Sequence, residues 1–283
     1  METTLEDIAY LLTIPTGALS PDGSTMYFVV VDDGILVERH WNGNEVTRQY
    51  FISEDVAESP SAKYLLSDDV RRIFCPSAQN VLQCYQWDES EDEWDEVTLV
   101  TQNTPAVHPR SKIGGCFNGD NQLIFYQDPS GCLQGLRIDQ DGNCSALPPL
   151  LAKTSERPLV HTAYEADDGS IHVLYFDHTT KVIRDLKWDG DTNWQDTIAS
   201  SGEGFGNHEL SSFVKTSTHE EETGFLAIST DNIVLSINSQ GQRVELGSFD
   251  RKRFVAATSE ECIYETLTLL KNLVTRFGGK SKK

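Results

Sequence analysis

The sequence predicts an all-β fold, a six-bladed β-propeller closed by its N-terminal strand, on three observations. Five segments share a strand that opens after a polar turn and carries an aliphatic second residue. They are ILVERHWNG from Ile35, VLQCYQWDE from Val81, CLQGLRIDQ from Cys132, VIRDLKWDG from Val182 and IVLSINSQG from Ile233. Their anchors, Leu36, Leu82, Leu133, Ile183 and Val234, are spaced 46, 51, 50 and 51 residues apart. Ahead of each anchor lies a second β-rich run ending in Asp, Asn, Gly or Pro, which reads as the first arm of a hairpin. Further upstream a short run of small or apolar residues recurs six times, suited to the crowded innermost strand of a blade. Units of about this length with four short strands are the mark of a propeller, because one blade cannot cover its own two faces and must stack between neighbours.

In chain order, inner strands are expected near residues 17–20, 63–67, 112–117, 159–166, 211–217 and 254–259. The sixth unit lacks an outer strand, while residues 5–14 (LEDIAYLLTI) form an apolar run before the first inner strand. Pairing the two ends closes the ring and removes exposed sheet edges. Residues 262–277 read as strand giving way to helix near Leu269. No linker interrupts the pattern, so residues 1–278 are expected to form a single domain and 279–283 a disordered basic tail.

Charge excludes several functions. With 23 basic and 44 acidic residues the chain carries a formal charge of −21, which repels nucleic acid and anionic membranes unless a basic patch intervenes. The clusters Arg71-Arg72, Arg251-Lys252-Arg253 and Lys280 to Lys283 read as solvated edges. The N-terminus has acids where a signal peptide needs basic residues, and no apolar run reaches the ~18 residues of a membrane span, so a cytoplasmic chain is expected. The six cysteines form no CxxC and read as buried thiols rather than as zinc ligands or a redox pair. The acidic run Asp88 to Glu96 lacks the glycine and ligand alternation of a calcium loop and reads as a solvent-facing hairpin. GxSxG, SxxK and HExxH are absent, so no metal, no cofactor and no covalent nucleophile of a familiar kind is expected.

The pairing of a strand such as LIFYQ with a turn and LQGLR, best carried by Gln122–Asp141 and His172–Trp194, is similar to the fungal fucose-specific lectins of the Aleuria lectin type. That resemblance implies sugar pockets between adjacent blades. Each would use an Arg on the second strand, a Glu or Gln on the third and an aromatic from the neighbouring blade. The Glu position then holds Glu38, Cys84, Gly135, Asp185 and Ser236, and the Arg position Tyr27, Arg72, Leu123, His172 and Leu226. On this alignment no repeat has both members, so a working multivalent fucose lectin is not expected. Trp41, Trp87 and Trp188 share one repeat position and read as packing between blades. Trp94 and Trp194 are less regular and are candidates to cover a ligand.

Two functions follow. The chain also resembles, at the level of scaffold, the lectin-like fungal hetero-Diels–Alderases of tropolone–sesquiterpene biosynthesis. That implies a cofactor-independent enzyme of secondary metabolism, adding a tropolone o-quinone methide to a macrocyclic sesquiterpene. His172 and Asp185 stand at both contact positions of one blade. An imidazole beside a carboxylate is a general acid/base arrangement, and they are the catalytic candidates. The apolar replacements Leu123, Gly135 and Cys84 are expected to leave room for a less polar ligand. The alternative is a non-catalytic carbohydrate-binding propeller with degenerate sites, in which Glu38 or Arg72 retains partial sugar contacts. The bland reading of His172 and Asp185 is a cross-strand polar pair in a worn sugar site. Either function implies a small-molecule ligand, and a homodimer is compatible with both.

Overall fold

The computed structural model describes residues 17–257, apart from 43–44, 58–60, 68–69, 102–104, 155–156, 191–192, 200–204, 218–222, 239–241 and 251–252. These residues form five antiparallel sheets and no helix. Blade one comprises β1 (Ala18–Leu19), β2 (Met26–Asp32), β3 (Ile35–Trp41) and β4 (Val46–Ser53). Blade two comprises β5 (Lys63–Leu66), β6 (Arg71–Pro76), β7 (Leu82–Asp88) and β8 (Glu93–Val97). Blade three comprises β9 (Gly114–Asn118), β10 (Asn121–Gln127), β11 (Leu133–Ile138) and β12 (Cys144–Ala146). Blade four comprises β13 (His161–Glu165), β14 (Ile171–Asp177), β15 (Val182–Trp188) and β16 (Gln195–Ile198). Blade five comprises β17 (Leu210–Ser217), β18 (Thr223–Ser229), β19 (Ile233–Ile237), β20 (Arg243–Asp250) and β21 (Arg253–Ala256). Every anchor lies on the third strand of its sheet, and β1, β5, β9, β13 and β17 neighbour one another in succession, as strands around an axis must.

Alternation along each strand sends successive side chains to opposite faces, so each blade is apolar on both. The cores are therefore layers between blades. Tyr64, Ile73, Tyr85, Trp87 and Trp94 of blade two meet Val29, Leu36 and Ile52 of blade one. Leu65, Phe74 and Cys84 meet Ile124, Tyr126 and Ile138. Leu123, Phe125 and Leu133 meet Val173, Leu186, Trp188 and Trp194. Phe176 and Ile183 meet Phe213, Phe225 and Leu235. Tight hairpins connect the strands. Asp33 and Gly34, both at positive φ (50° and 82°), make the two-residue turn between β2 and β3 that a right-handed twist favours.

Two expectations change. The described residues make five blades, not six. The run expected as a sixth inner strand at 254–259 instead pairs with β20, Ser248 opposite Val255, as the fifth strand of blade five. A two-residue connection between β20 and β21 leaves a hairpin as the only antiparallel solution, whereas a new blade needs a longer crossing. The closing strand at 5–14, the helix near Leu269 and the tail at 279–283 lie outside the described residues. The acidic run behaves as expected: Asp88 ends β7, its carboxylate accepts from the Ser90 amide and hydroxyl, and the turn leads into β8. Cys75, Cys84 and Cys116 are buried, and burial pushes each thiol up to about 12, which makes them inert.

Candidate functional site

The register supports the repeat equivalence. Cys84 pairs with Phe74 and Gln86 with Arg72, so Arg72 is diagonal to Cys84 across the β6–β7 pair. His172 is diagonal to Asp185 and Tyr27 to Glu38 in the same sense. Blade five departs: Leu226 lies directly opposite Ser236, and the diagonal position is two residues earlier, at Gly224.

Between blades one and two the structure assembles a charged, aromatic site. Glu38 is fully buried, and its partner is Arg71, not a residue of its own repeat. Arg71 Nη2 donates to Glu38 Oε2 at 2.6 Å and to Oε1 at 2.7 Å. Its Nε donates to the Tyr64 hydroxyl, which donates onward to Glu38 Oε1, both at 2.6 Å. Trp94 Nε1 donates to Glu38 Oε2 at 3.2 Å, and His40 Nε2 stands 3.2 Å from the same oxygen. Burial pushes the Glu38 carboxyl up, but the bonds from His40, Arg71 and Tyr64 outweigh it and hold it below the ordinary carboxylate value. The guanidinium lies over the rings of Trp87 at 4.2 Å, Tyr27 at 4.8 Å and Trp94 at 5.3 Å.

One part of this cation is unspent. Among the described residues Arg71 Nη1 has no hydrogen-bond partner, and it is not among the enclosed polar atoms that lack one. The Arg71 side chain is 14% exposed. Tyr27, His40 and Tyr50, all half-buried, stand around it with ring centroids 4.5 and 5.1 Å apart. Two N–H donors ringed by aromatic edges suit a ligand with hydroxyl groups on one side and C–H groups on the other.

Arg72 serves a different purpose. Consecutive strand residues face opposite ways, so Arg72 turns toward blade three, where it is buried. Its Nε donates to Gln86 at 2.8 Å, Nη1 to Gln122 at 2.9 Å and Nη2 to the Gln140 carbonyl at 2.8 Å. It staples two blades, with all three guanidinium nitrogens engaged. The room expected at Cys84, Leu123 and Gly135 is filled: all three sites are packed, and a Cβ on Gly135 would stand 2.8 Å from Leu147 Cδ1 and 3.0 Å from Phe125. Trp94 and Trp194 are also buried. Trp94 holds Glu38, while Trp194 donates to the Pro148 carbonyl at 3.0 Å and packs on Trp188, so neither covers an open cavity. Trp87 and Trp188 are packing residues as expected.

His172 and Asp185 do meet. His172 Nδ1 lies 2.8 Å from Asp185 Oδ2, and its ring stacks on Tyr164 at 5.0 Å with an interplanar angle of 13°. A carboxylate facing Nδ1 requires a proton there. Nε2 lies 3.1 Å from Ser170 Oγ, whose own proton goes to Asp168. Lys187 Nζ completes the chain on Asp168 at 3.0 Å. Both ring nitrogens are thus engaged within blade four. The geometry is that of an oriented acid/base pair whose outer nitrogen is already occupied.

The Glu38–Arg71 contact escapes a repeat alignment because its members lie 33 positions apart on different blades. The readable signal was the Arg71-Arg72 doublet: on a strand, one of two adjacent arginines must face the preceding blade.

Five four- or five-stranded antiparallel sheets whose first strands neighbour one another in succession define a β-propeller. No family model matches the chain, and no curated protein matches it. Among solved structures, AofleA from Arthrobotrys oligospora superposes with a TM-score of 0.59 at 15% identity, covering 86% of this chain and 74% of that one. SapL1 lectin, solved in complex with α-methyl fucoside, gives 0.57 at 17% identity over 83% and 79%. The Aleuria aurantia lectin, described as a six-bladed β-propeller with a fucose recognition mode of its own, gives 0.54 at 18% over 80% and 73%. At these identities the likeness is one of fold.

Proposed function

We propose that this protein is a non-catalytic binding propeller that takes a hydroxylated ring ligand, of sugar type, at one site between blades one and two. The observation that carries the reading is Arg71: fixed by Glu38 and Tyr64, backed by Trp87, and left with Nη1 unpartnered among the described residues, beside an aromatic rim. Glu38 is too enclosed to touch a ligand and serves as the group that orients the guanidinium. One such site with two charge-assisted bonds gives an affinity near the millimolar range, about −4 kcal/mol. The named ligand of the SapL1 complex makes α-methyl fucoside the first probe. A glycan array followed by calorimetric titration tests the reading, with Arg71→Met as the variant. Saturable one-to-one binding that Arg71→Met abolishes is the expected result. The reading fails if no glycan binds, or if Arg71→Met binds as well as the parent.

A second reading keeps the scaffold as a cofactor-independent hetero-Diels–Alderase of tropolone–sesquiterpene type. The observed His172–Asp185 hydrogen bond favours it. In that reaction His172 passes a proton to the departing hydroxyl, which leaves as water, and takes back the proton the ring hydroxyl gives up as the o-quinone methide forms; Asp185 fixes the imidazole, and Ser170 must first release Nε2. Turnover of a hydroxymethyl tropolone precursor with a humulene alcohol, compared in parent and His172→Ala chains, tests it. A stereoselective product from the parent, with the rate reduced about 10²–10⁴-fold in the variant, is the outcome this reading requires.

A further inference from the structure

Trp87 and Trp188 hold one repeat position, and a guanidinium lies near the face of each indole, but the two cations come from different strands. Over Trp87 it is Arg71, from the same blade, fixed by the buried Glu38. Between blades three and four the position of Arg71 holds Ile171, and that of Glu38 holds Gly135, whose space Leu147 fills. The cation comes instead from blade three. Arg137, two residues beyond Gly135 on β11, places Cζ 5.5 Å from the centre of the Trp188 ring. Alternation sets Leu133, Gly135 and Arg137 on one face of β11, and Leu133 packs with Leu123, Ile171, Trp188 and Trp194 in the layer between these blades.

Nothing replaces Glu38 there. Among the described residues the Arg137 side chain has no hydrogen-bond acceptor and no carboxylate within ion-pair distance. Three polar atoms among these residues are enclosed without a partner: Arg137 Nε, Trp188 Nε1 and Gln122 Nε2. Gln122 belongs to the layer between blades two and three, where its oxygen accepts from Arg72. The other two meet at one seam. Trp188 is 5% exposed, so its N–H has no route to water, and a buried donor without an acceptor is a cost that folded chains ordinarily avoid. Arg137 is half-buried, and its terminal nitrogens, unbonded but not enclosed, reach solvent. Trp194, the other indole of the layer, already donates to the Pro148 carbonyl.

The unspent polar atoms of this seam are therefore all donors, one set of them cationic, against an apolar layer. Their complement is a charged acceptor that brings no proton of its own, and a planar fork beside a single N–H suits a carboxylate. A dianionic phosphate would call for a second cation, the more so in a chain of −21. We propose that Arg137 and Trp188 form a second binding site, between blades three and four, for a small organic carboxylate. The carboxylate accepts from the Arg137 fork and from Trp188 Nε1. Among the described residues no hydrogen bond holds Arg137 against the indole, so the guanidinium turns outward as the ligand enters and uncovers both enclosed donors. The site lies on a different seam from that of Arg71 and does not depend on it.

Calorimetric titration of the full chain with benzoate and with glucuronate, against sodium chloride at matched ionic strength, tests the site. Saturable one-to-one binding with Kd on the order of 1 mM is expected, weakened at least about tenfold in Arg137→Met and about threefold or more in Trp188→Phe. Benzamide, which keeps the ring and loses the charge, should not bind. Either acid upholds the site, and the tighter one shows whether the body it accepts is apolar or hydroxylated. Repeating each titration in Arg71→Met separates the two seams: binding retained there upholds the proposal, whereas binding lost there and kept in Arg137→Met assigns the carboxylate to Arg71 and overturns it. Tryptophan emission gives a second readout, changing along the same saturation curve in the parent and not in Arg137→Met, because the guanidinium leaves the indole. If circular dichroism shows that Trp188→Phe does not fold, Arg137→Lys, which keeps the charge and loses the fork, is read in its place and should weaken binding about threefold or more. Absence of saturable heat with both acids, or binding undiminished in Arg137→Met or in the second variant, overturns the proposal.

Discussion

Glu38→Gln is the substitution that most directly probes the blade one–two site. The parent carboxylate accepts from Tyr64 at 2.6 Å, twice from Arg71 Nη2 at 2.6 and 2.7 Å, and from Trp94 at 3.2 Å. The isosteric amide keeps one acceptor oxygen and turns the other into a donor, which then faces a donor. One buried N–H or O–H loses its acceptor, at about 1–3 kcal/mol. Arg71 also loses its counter-charge, and removing one member of a buried pair costs about 3–5 kcal/mol. The two estimates describe overlapping losses. Because the Arg71 side chain is 14% exposed, its cation keeps a path to water, which favours the lower end, about 3 kcal/mol. For a domain of this size that lowers the melting temperature by roughly 6–12 °C. Differential scanning calorimetry at neutral pH measures it. Adding Arg71→Met should recover part of the loss, since the stranded cation is then gone. A single variant melting within about 1 °C of the parent, or a double variant less stable than the single by the full cost of a second lesion, would refute the argument that Glu38 exists to compensate Arg71.

Four further outcomes are expected. Gly115→Ala puts a Cβ 2.8 Å from the Leu123 carbonyl oxygen and 2.9 Å from Ile124 Cδ1; urea titration should show a loss of about 1–3 kcal/mol from overpacking. Arg72→Met strips four acceptors, the side-chain oxygens of Gln86 and Gln122 and the carbonyls of Asp139 and Gln140; only Gln122 is buried and cannot turn to water instead, so the loss should be about 1–3 kcal/mol, with ligand binding at Arg71 unchanged. Acid should destabilise through Glu209. Its own burial raises it, but Lys181, His178 and Arg157 overcome this and bring it to about 2 from 4.5. A carboxyl depressed in the folded state contributes stability that is complete above the ordinary value and is lost as pH falls from 4.5 toward 2. Glu209→Gln should flatten a plot of unfolding free energy across that window. Finally, His172→Phe should keep the fold, since Tyr164 offers a ring to stack on, and circular dichroism with thermal melting will show it.

The fold was legible wherever a residue serves its own blade. Leu36, Leu82, Leu133, Ile183 and Val234 repeat because every third strand must bury an aliphatic side chain at the same depth, and all five proved to lie there. The end of the chain was less legible. FVAATS resembles an inner strand in composition, yet β21 follows β20 after only two residues, and chain connectivity overrides composition by forcing a hairpin. Composition also misread the space at Gly135, because the residue that fills it, Leu147, lies in the following loop rather than in the repeat.

Sites were less legible for a related reason. A repeat alignment compares equivalent positions, whereas a pocket between blades joins positions that are not equivalent. Arg71 and Arg72 are neighbours in sequence, but alternation sends one back to blade one and the other forward to blade three, and only the forward one occupies the aligned position. The aligned arginine spends its donors on Gln86, Gln122 and two carbonyls, while its unaligned neighbour keeps Nη1 free. A ligand can gain only from donors and acceptors that folding has not used. By that criterion His172, engaged at both nitrogens, is a weaker candidate than its residue type suggested, and Arg71, which looked like a solvated edge, is a stronger one.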